Sequence, residues 1–279
     1  MRRLRQVDVF SEEVLRGNPV AVVHDATGLS TAQMERFTRW TNLSEATFLL
    51  PPTDPAADYQ VRIFTQTGEL SFAGHPTLGS CHAWLAAGGR PKDPDLIVQQ
   101  CQVGLVRVRR DDGRLAFEAP PIVRSGPVAE ADLARFARIL GIGREDIVQC
   151  RWVDNGPGWV GIKLRSADAV LALRPTSDGQ RFDIGVVGCY PDGAEAACEV
   201  RAFFTNERHE LMEDPVTGSL NASLAQWLVA DRVLEPPYVV SQGTAMGRLG
   251  RVHISQDANG AIWVGGTTIT VIEGSVELD

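Results

Sequence analysis

The sequence has no run of about 18 apolar residues, the length a helix needs to cross a bilayer. It does not open on a signal-peptide pattern either: the arginines within Met1–Phe10 are followed by no long apolar stretch. These two absences predict a soluble, cytoplasmic protein. An excess of positive charge is also missing. The formal net charge is −8 and the pI about 5.2, which argues against nucleic acid or an anionic membrane as a partner. An anionic small molecule is not excluded, because a helix N-terminus can hold an anion locally. Cysteine is scarce. Cys81, Cys101, Cys150, Cys189 and Cys198 are odd in number, irregularly spaced and form no Cys-x-x-Cys. They read as reduced, small core residues. The histidines (His24, His75, His82, His209, His253) do not come in close pairs, and no carboxylate joins His75 and His82 at ligand spacing, so no metal is expected. Low-complexity segments are absent as well.

What is present is a globular composition, 44% apolar and 22% charged, and one stretch that occurs twice. Residues 72–87 and 211–226 superpose without a gap at a shift of 139, half of the 279-residue chain. Pro76 falls on Pro215, Gly79 on Gly218, Ser80 on Ser219, Ala83 on Ala222, Leu85 on Leu224 and Ala86 on Ala225. The same shift lays Val61-Arg62-x-Phe64 on Val200-Arg201-x-Phe203. Nine identities in the 26 positions 61–86 compare with roughly two by chance at average usage. A period this long, repeated once, is a duplicated domain rather than a solenoid. The boundary is placed at the proline-rich Pro120-Pro121 to Gly126-Pro127. This predicts domains 1–122 and 127–266, the first completed by a C-terminal strand within 267–279.

Each copy has the grammar of a helix start. A short polar residue, His75 or Asp214, precedes a proline, which is favoured at a first helical position, and Asp214 reads as an N-cap. Thr77–Ala87 and Val216–Ala230 contain no charged side chain, and a helix without a polar face is buried on all sides. With β-like Tyr59–Phe64 and Glu199–Phe204 before them, each half is expected to wrap strands around one central helix. Along the chain, Leu4–Phe10 and Val20–Val23 read as strands around the turn Gly17-Asn18-Pro19. Ser30-x-x-Gln33 is a capping box that opens a helix over about 31–41. Tyr59–Thr65, Asp95–Gln100, Gly104–Arg109 and Leu115–Glu118 read as strands, with Asp111-Asp112-Gly113 as a hairpin turn. Ala131–Leu140 is an amphipathic helix stopped at Gly141, and Ala167–Leu173 a shorter one. Tyr238–Ser241, Arg251–Gln256 and Ala261–Val271 close the second half, and Val276–Leu278 is expected as a last short strand crossing back to the first domain. The loop 243–248 resembles a nucleotide loop only loosely, since a strand follows it.

Three polar residues stand out. Glu45, between Ser44 and apolar neighbours, is either a water-facing glutamate or a partly buried carboxylate with a raised pKa that moves protons at neutral pH. His75 is either an exposed residue before a helix, or an imidazole kept neutral by the positive end of the helix dipole. Asp214 is most simply a cap, yet it holds the place of His75 in the other copy. Gly79 and Gly218 read as packing glycines, and Ser80 and Ser219 as residues that cap or back-bond.

Gly17-Asn-Pro-Val-Ala-Val, Asn42-Leu-Ser-Glu-Ala-Thr-Phe, Phe72-Ala-Gly-His-Pro-Thr-Leu-Gly and Glu213-Asp-Pro-Val-Thr-Gly-Ser, in this order, resemble the PhzF-like family of phenazine-biosynthesis isomerases almost from end to end. The resemblance implies the diaminopimelate epimerase-like fold, an α+β architecture of two duplicated domains. Each is a strongly curved β-sheet or barrel around a central buried helix, with the site in the cleft between them. It implies that Glu45 is the acid/base glutamate, that His75 and Asp214 are further catalytic residues, and that Ser44, Gly74, Gly218 and Ser219 bind substrate. Glu45, His75 and Asp214 should then line one pocket at the domain junction. No cofactor and no metal are implied, and a homodimer is. Two-thiol proton transfer, used by epimerases of this fold, is excluded, because His75-Pro and Asp214-Pro stand where those enzymes have cysteines. The expected reaction moves a proton between carbons of a small, cyclic or unsaturated carboxylic acid. Its rivals are an epimerase of a hydroxy or amino acid working through Glu45 and a second base, and a non-catalytic carboxylate-binding protein on the same scaffold.

Overall fold

The computed structural model describes residues 1–111 and 113–278, so the turn expected at Asp111-Asp112-Gly113 lies partly outside the described residues. The chain forms two compact units, Met1–Glu118 with Gly265–Asp279, and Ala119–Val264. Among the described residues no helix is long and apolar enough to cross a membrane.

The N-terminal unit contains β1 (Arg2–Val9), β2 (Asn18–Val23), α1 (Thr31–Thr41), β3 (Glu45–Leu50), β4 (Tyr59–Thr65), β5 (Glu69–Leu70), α2 (Gly74–Ala86), β6 (Leu96–Cys101), β7 (Gly104–Asp111) and β8 (Arg114–Glu118). The chain's final strand, Thr268–Val276, also belongs to it and pairs antiparallel with β1. Next across the sheet come β2 antiparallel to β1, β3 parallel to β2, β4 antiparallel to β3 and β6 parallel to β4, then β7 and β8 in an antiparallel meander. Each parallel step needs a crossover, and α1 and α2 supply them. α2 touches β1, β2, β3, β6, β8 and the final strand. A helix that meets strands from both ends of one sheet is enclosed by it, so the sheet is strongly curved. The other face of β2 and β3 carries α1, through Met34 and Phe37 packed on Ala21, Val23, Phe48 and Phe64. Strands covered on both sides read as continuous apolar runs, as Val20–Val23 does.

The C-terminal unit repeats the plan: β9 (Arg124–Pro127), α3 (Glu130–Leu140), β10 (Gln149–Asp154), β11 (Val160–Lys163), α4 (Ala167–Leu171), β12 (Asp183–Cys189), β13 (Cys198–Thr205), β14 (Leu211–Asp214), α5 (Gly218–Ala230), β15 (Tyr238–Gln242), β16 (Gly250–Gln256) and β17 (Ile262–Gly266). The steps β11–β12 and β13–β15 are parallel, as β2–β3 and β4–β6 are, while β12–β13 and β15–β16 are antiparallel. α3 and α4 pack outside the sheet in a core of Leu133, Phe136, Leu140, Ile162, Val170 and Phe203, among others.

The central helices are buried on all sides, as their sequences predict, but neither starts where the prolines suggest. α2 begins at Gly74, so Pro76 is its third residue and His75 its second. A proline costs nothing there, because the first four N–H groups of a helix have no partner within it. α5 begins at Gly218, three residues beyond Pro215, and Asp214 ends strand β14 instead of capping the helix. Asp214 is held in the ladder opposite Ala202, and tertiary pairing overrides the local preference. The closing segment also differs from expectation. It is one nine-residue strand, Thr268–Val276, distinct from β17, and not a short strand at Val276–Leu278.

Candidate active site

In the N-terminal unit the site grows from the β1–β2 turn. Asp8, only 2% exposed, lies near the end of β1. Its Oδ2 accepts the backbone N–H groups of Arg16 at 3.0 Å and Gly17 at 3.1 Å. Gly17 must lack a side chain here, since a Cβ would run into the Val9 carbonyl and Asp8 Oδ1. The turn so fixed delivers Asn18, the first residue of β2, whose Nδ2 stands 3.2 Å from His75 Nδ1. The other ring nitrogen of His75, Nε2, stands 3.3 Å from Glu45 Oε2. Glu45 is the first residue of β3, in parallel register with Val20, so its backbone is fixed while its side chain leaves the sheet end. The Glu45 side chain is 15% exposed and that of His75 5%. Gly74 is buried beside His75, and Ser44 is exposed.

Burial lowers the His75 imidazole to about 3, with the Pro19 carbonyl opposing weakly. The ring is therefore neutral at neutral pH, and its contact with Glu45 is that of a neutral imidazole with a carboxyl group, not an ion pair. The Nδ1 side of the ring meets the Asn18 amide, and the Nε2 side faces Glu45. One turn further along α2, Ser80 donates to the Thr47 hydroxyl at 2.8 Å, tying helix to β3.

In the C-terminal unit the corresponding stretch is built differently. Asp214 is half-buried, and its Oδ2 accepts the Thr217 hydroxyl at 2.6 Å. Gln242, fully buried at the end of β15, binds this turn with its whole amide. Its Oε1 accepts the Thr217 N–H at 3.0 Å and Asn221 Nδ2 at 2.7 Å. Its Nε2 donates to the Asp214 carbonyl at 3.1 Å and to Thr217 Oγ1 at 3.0 Å. The residue after it must be small, because a Cβ on Gly243 would sit 2.6 Å from the Pro215 carbonyl. The loose nucleotide-loop pattern at 243–248 is thus a turn whose first glycine packs under Pro215. Ser219 is engaged on both sides: Trp159 Nε1 donates to its hydroxyl at 3.1 Å and Asn155 Nδ2 to its carbonyl at 2.8 Å. Gly218 is the first residue of α5 and is buried.

A second device recurs in both units. Arg201, buried on β13, grips Glu213 through two bonds of 2.8 Å and donates to the Val170 and Leu173 carbonyls at 3.2 and 3.0 Å. Its counterpart Arg62 grips Glu69 at 2.8 and 2.6 Å. Each pair pins the short strand that leads to a central helix. Both arginines lie in the repeated Val-Arg-x-Phe stretch, whose pattern alone assigns them no task. Asp8, Asn18, Thr217 and Gln242 were missed as site residues. The available signals were an aspartate inside the apolar Val7–Phe10, and a glutamine ending the strand Tyr238–Gln242.

The structure brings Glu45, His75 and Asn18 together in one unit, and Asp214, Thr217 and Gln242 together in the other. A carboxyl group beside a neutral, buried imidazole at a helix start can exchange a proton with a ligand.

Comparison with known proteins places the whole chain among relatives of one family. The family model described as phenazine biosynthesis-like protein matches residues 7–274. A Pseudomonas aeruginosa trans-2,3-dihydro-3-hydroxyanthranilate isomerase is 32% identical over the whole of both chains. A Schizosaccharomyces pombe protein named antisense-enhancing sequence 1 is 34% identical over 97% of each. Among solved structures, a phenazine biosynthesis protein of the PhzF family from Bacillus anthracis superposes with a TM-score of 0.84 at 20% identity over 99% of each chain. A hydroxyproline epimerase from Agrobacterium vitis shares the fold more distantly, with a TM-score of 0.59 at 12% identity over 98% of this chain and 91% of its own.

Proposed function

Since the chain belongs to the phenazine biosynthesis-like family and is an isomerase like its named relatives, we propose that it moves a proton between two carbons of a small unsaturated carboxylic acid. Glu45 is the acid/base. Its carboxylate takes a proton from carbon, and the electron pair of the broken C–H bond spreads into the conjugated acid. The Glu45 carboxyl then returns a proton to a different carbon of the same system. No cofactor is required, because the substrate's own conjugation carries the charge.

The observation that supports this reading is the 3.3 Å approach of Glu45 to a buried histidine held neutral by its surroundings. A cationic imidazolium so close would weaken the carboxylate as a base, whereas a neutral ring orients it without that cost. His75 and Asp214 hold the polar groups of the ligand and the developing charge. Ser44, Gly74, Gly218 and Ser219 complete the substrate contacts, and the two helix starts favour its carboxylate. The duplication, which sets Asp214 where His75 stands in the first copy, brings Asp214 into the proposal.

The first substrate to test is trans-2,3-dihydro-3-hydroxyanthranilate, the acid named for the relatives, followed in deuterated buffer by NMR. The expected result is isomerisation with solvent deuterium entering at carbon. Glu45→Gln keeps size and hydrogen bonding but cannot accept a proton, so its turnover should fall by about 10²–10⁴-fold, the loss typical of a general base. His75→Ala should weaken binding as well as turnover. Equal exchange rates in wild-type and Glu45→Gln proteins would remove Glu45 from the role. Inversion of a stereocentre without migration of the double bond would replace the isomerase reading by the epimerase one.

A further inference from the structure

We propose that Cys189 and Cys198 form an oxidation site, a thiol pair that closes to a disulfide when a small two-electron oxidant such as hydrogen peroxide reaches Cys189. The two residues are directly opposite each other in the antiparallel ladder of β12 and β13. The parity of the ladder matters. The Tyr190 N–H donates to the Ala197 carbonyl at 3.0 Å, and the Thr205 N–H to the Phe182 carbonyl at 3.2 Å. Both mark hydrogen-bonded positions, and these alternate along an antiparallel pair. Cys189 and Cys198 therefore occupy a non-hydrogen-bonded pair, where opposed Cα atoms lie roughly 4.5 Å apart with side chains on the same face. That separation falls inside the window of roughly 4.4–6.8 Å that disulfides span.

The other cysteines have no such partner. Cys101 is opposite Gly104, Cys150 opposite Ile162, and Cys81 lies on α2. All five thiols are free. Exposure sets the order of events. Cys189 is half-buried and Cys198 only 1% exposed, so an oxidant in water meets Cys189 first. Burial, with Cys189 as the next cause, pushes the Cys198 thiol far above its usual range, so it stays protonated and does not meet the oxidant first; its place opposite Cys189 is what makes it the partner.

The step balances. The Cys189 sulfur attacks peroxide, the O–O bond breaks, and Cys189 sulfenic acid and water are left. The Cys198 sulfur then attacks the sulfenic sulfur. The S–S bond forms, the S–O bond breaks, and the oxygen leaves as a second water, taking up the Cys198 proton. Two thiols have lost two electrons to one peroxide. Closure diverts Cys189 from the irreversible rungs above sulfenic acid, and a thiol reductant restores the pair.

The test is oxidation of the full folded chain with hydrogen peroxide, then alkylation in denaturant and tryptic digestion without reductant. Phe182–Arg201 contains both cysteines and no other. It should appear unalkylated and lighter by two hydrogens, and should regain two alkylation sites after dithiothreitol, while Cys81, Cys101 and Cys150 alkylate throughout. In Cys198→Ser, Cys189 should advance to sulfinic and sulfonic acid that dithiothreitol does not reverse. Three wild-type results would each overturn the proposal: Cys189 sulfinic acid beside an alkylated Cys198, a cross-link to another cysteine, and a peptide still fully alkylatable when Cys150 is already oxidised.

Discussion

Asp183 shows how one carboxyl group sets a local stability profile. Burial raises it from 3.8 to about 6, against the pull of Arg181 and with a push from Asp154. The native state thus disfavours the charged form. The cost is absent below the unfolded value of 3.8, grows as pH rises, and is complete above about 6. A shift of this size corresponds to about 3 kcal/mol. Asp183→Asn should therefore stabilise the C-terminal unit by about 1–3 kcal/mol at pH 8 in urea unfolding, with the gain vanishing at the acid end. Gln242 is the opposite case. Gln242→Met keeps the volume but leaves the buried Thr217 N–H and Asn221 amide without their acceptor, each at about 1–3 kcal/mol. A loss of about 2–5 kcal/mol in unfolding free energy is expected, and a loss below 1 kcal/mol would show that the amide network is not holding the turn. At this scale the sequence was only half legible. Glu45 and His75 could be picked out because each is a polar residue among apolar ones, next to a helix or strand start. Asp8, Asn18 and Gln242 look like ordinary strand and turn residues; their importance lies in the β1–β2 turn, the His75 ring and the turn at 214–217, which only the fold brings to them.

The same helix-on-sheet interface is solved in opposite ways in the two units. In the N-terminal unit the small residue is on the helix: a Cβ on Gly79 of α2 would strike Val20 of β2. In the C-terminal unit the small residues are on the strands. A Cβ on Gly185 of β12 would strike Leu220 of α5, and one on Gly161 of β11 would come within 2.8 Å of Trp227. Volumes have been exchanged across the interface while the helix-to-sheet approach is kept, as expected where interiors are close-packed. Gly185→Ala should cost about 1–3 kcal/mol by overpacking, and Leu220→Ala, itself destabilising, should then cost less in that background than in the wild type. Additive effects in this double-mutant cycle would mean that the two positions do not share a contact. The absence of charge from both central helices made their burial legible, and Gly79 was read correctly as a packing glycine. The helix starts were not legible. Their position depends on whether the preceding residue is held in a strand ladder, as Asp214 is against Ala202, and proline preference carries no information about that.

For the whole molecule, the duplication was the most legible feature, because the fold class follows from two copies of a charge-free helix behind a β-like segment. Less legible was how unevenly the two halves respond to acid. His24 and His75, both in the N-terminal unit, are lowered from 6.5 to about 4 and about 3, chiefly by burial. A histidine whose folded value is depressed leaves stability intact above 6.5, and stability is then lost as pH falls toward the folded value, because the unfolded chain binds the proton first. At pH 5 each of the two should have cost about 2 kcal/mol. Asp183 in the C-terminal unit has the opposite sign: its penalty shrinks over the same interval, since its folded value is raised to about 6. Acid should therefore loosen the N-terminal unit first. Hydrogen exchange compared at pH 7.5 and pH 5 checks this, after correction for the intrinsic rates. Protection should fall in β2, β3 and α2 while β12, β13 and α5 keep theirs. Replacing the more peripheral histidine, His24→Asn, should move the loss of protection in β2 to lower pH without altering the C-terminal unit. If both units lose protection together, or if the C-terminal unit opens first, buried histidines do not govern the acid response.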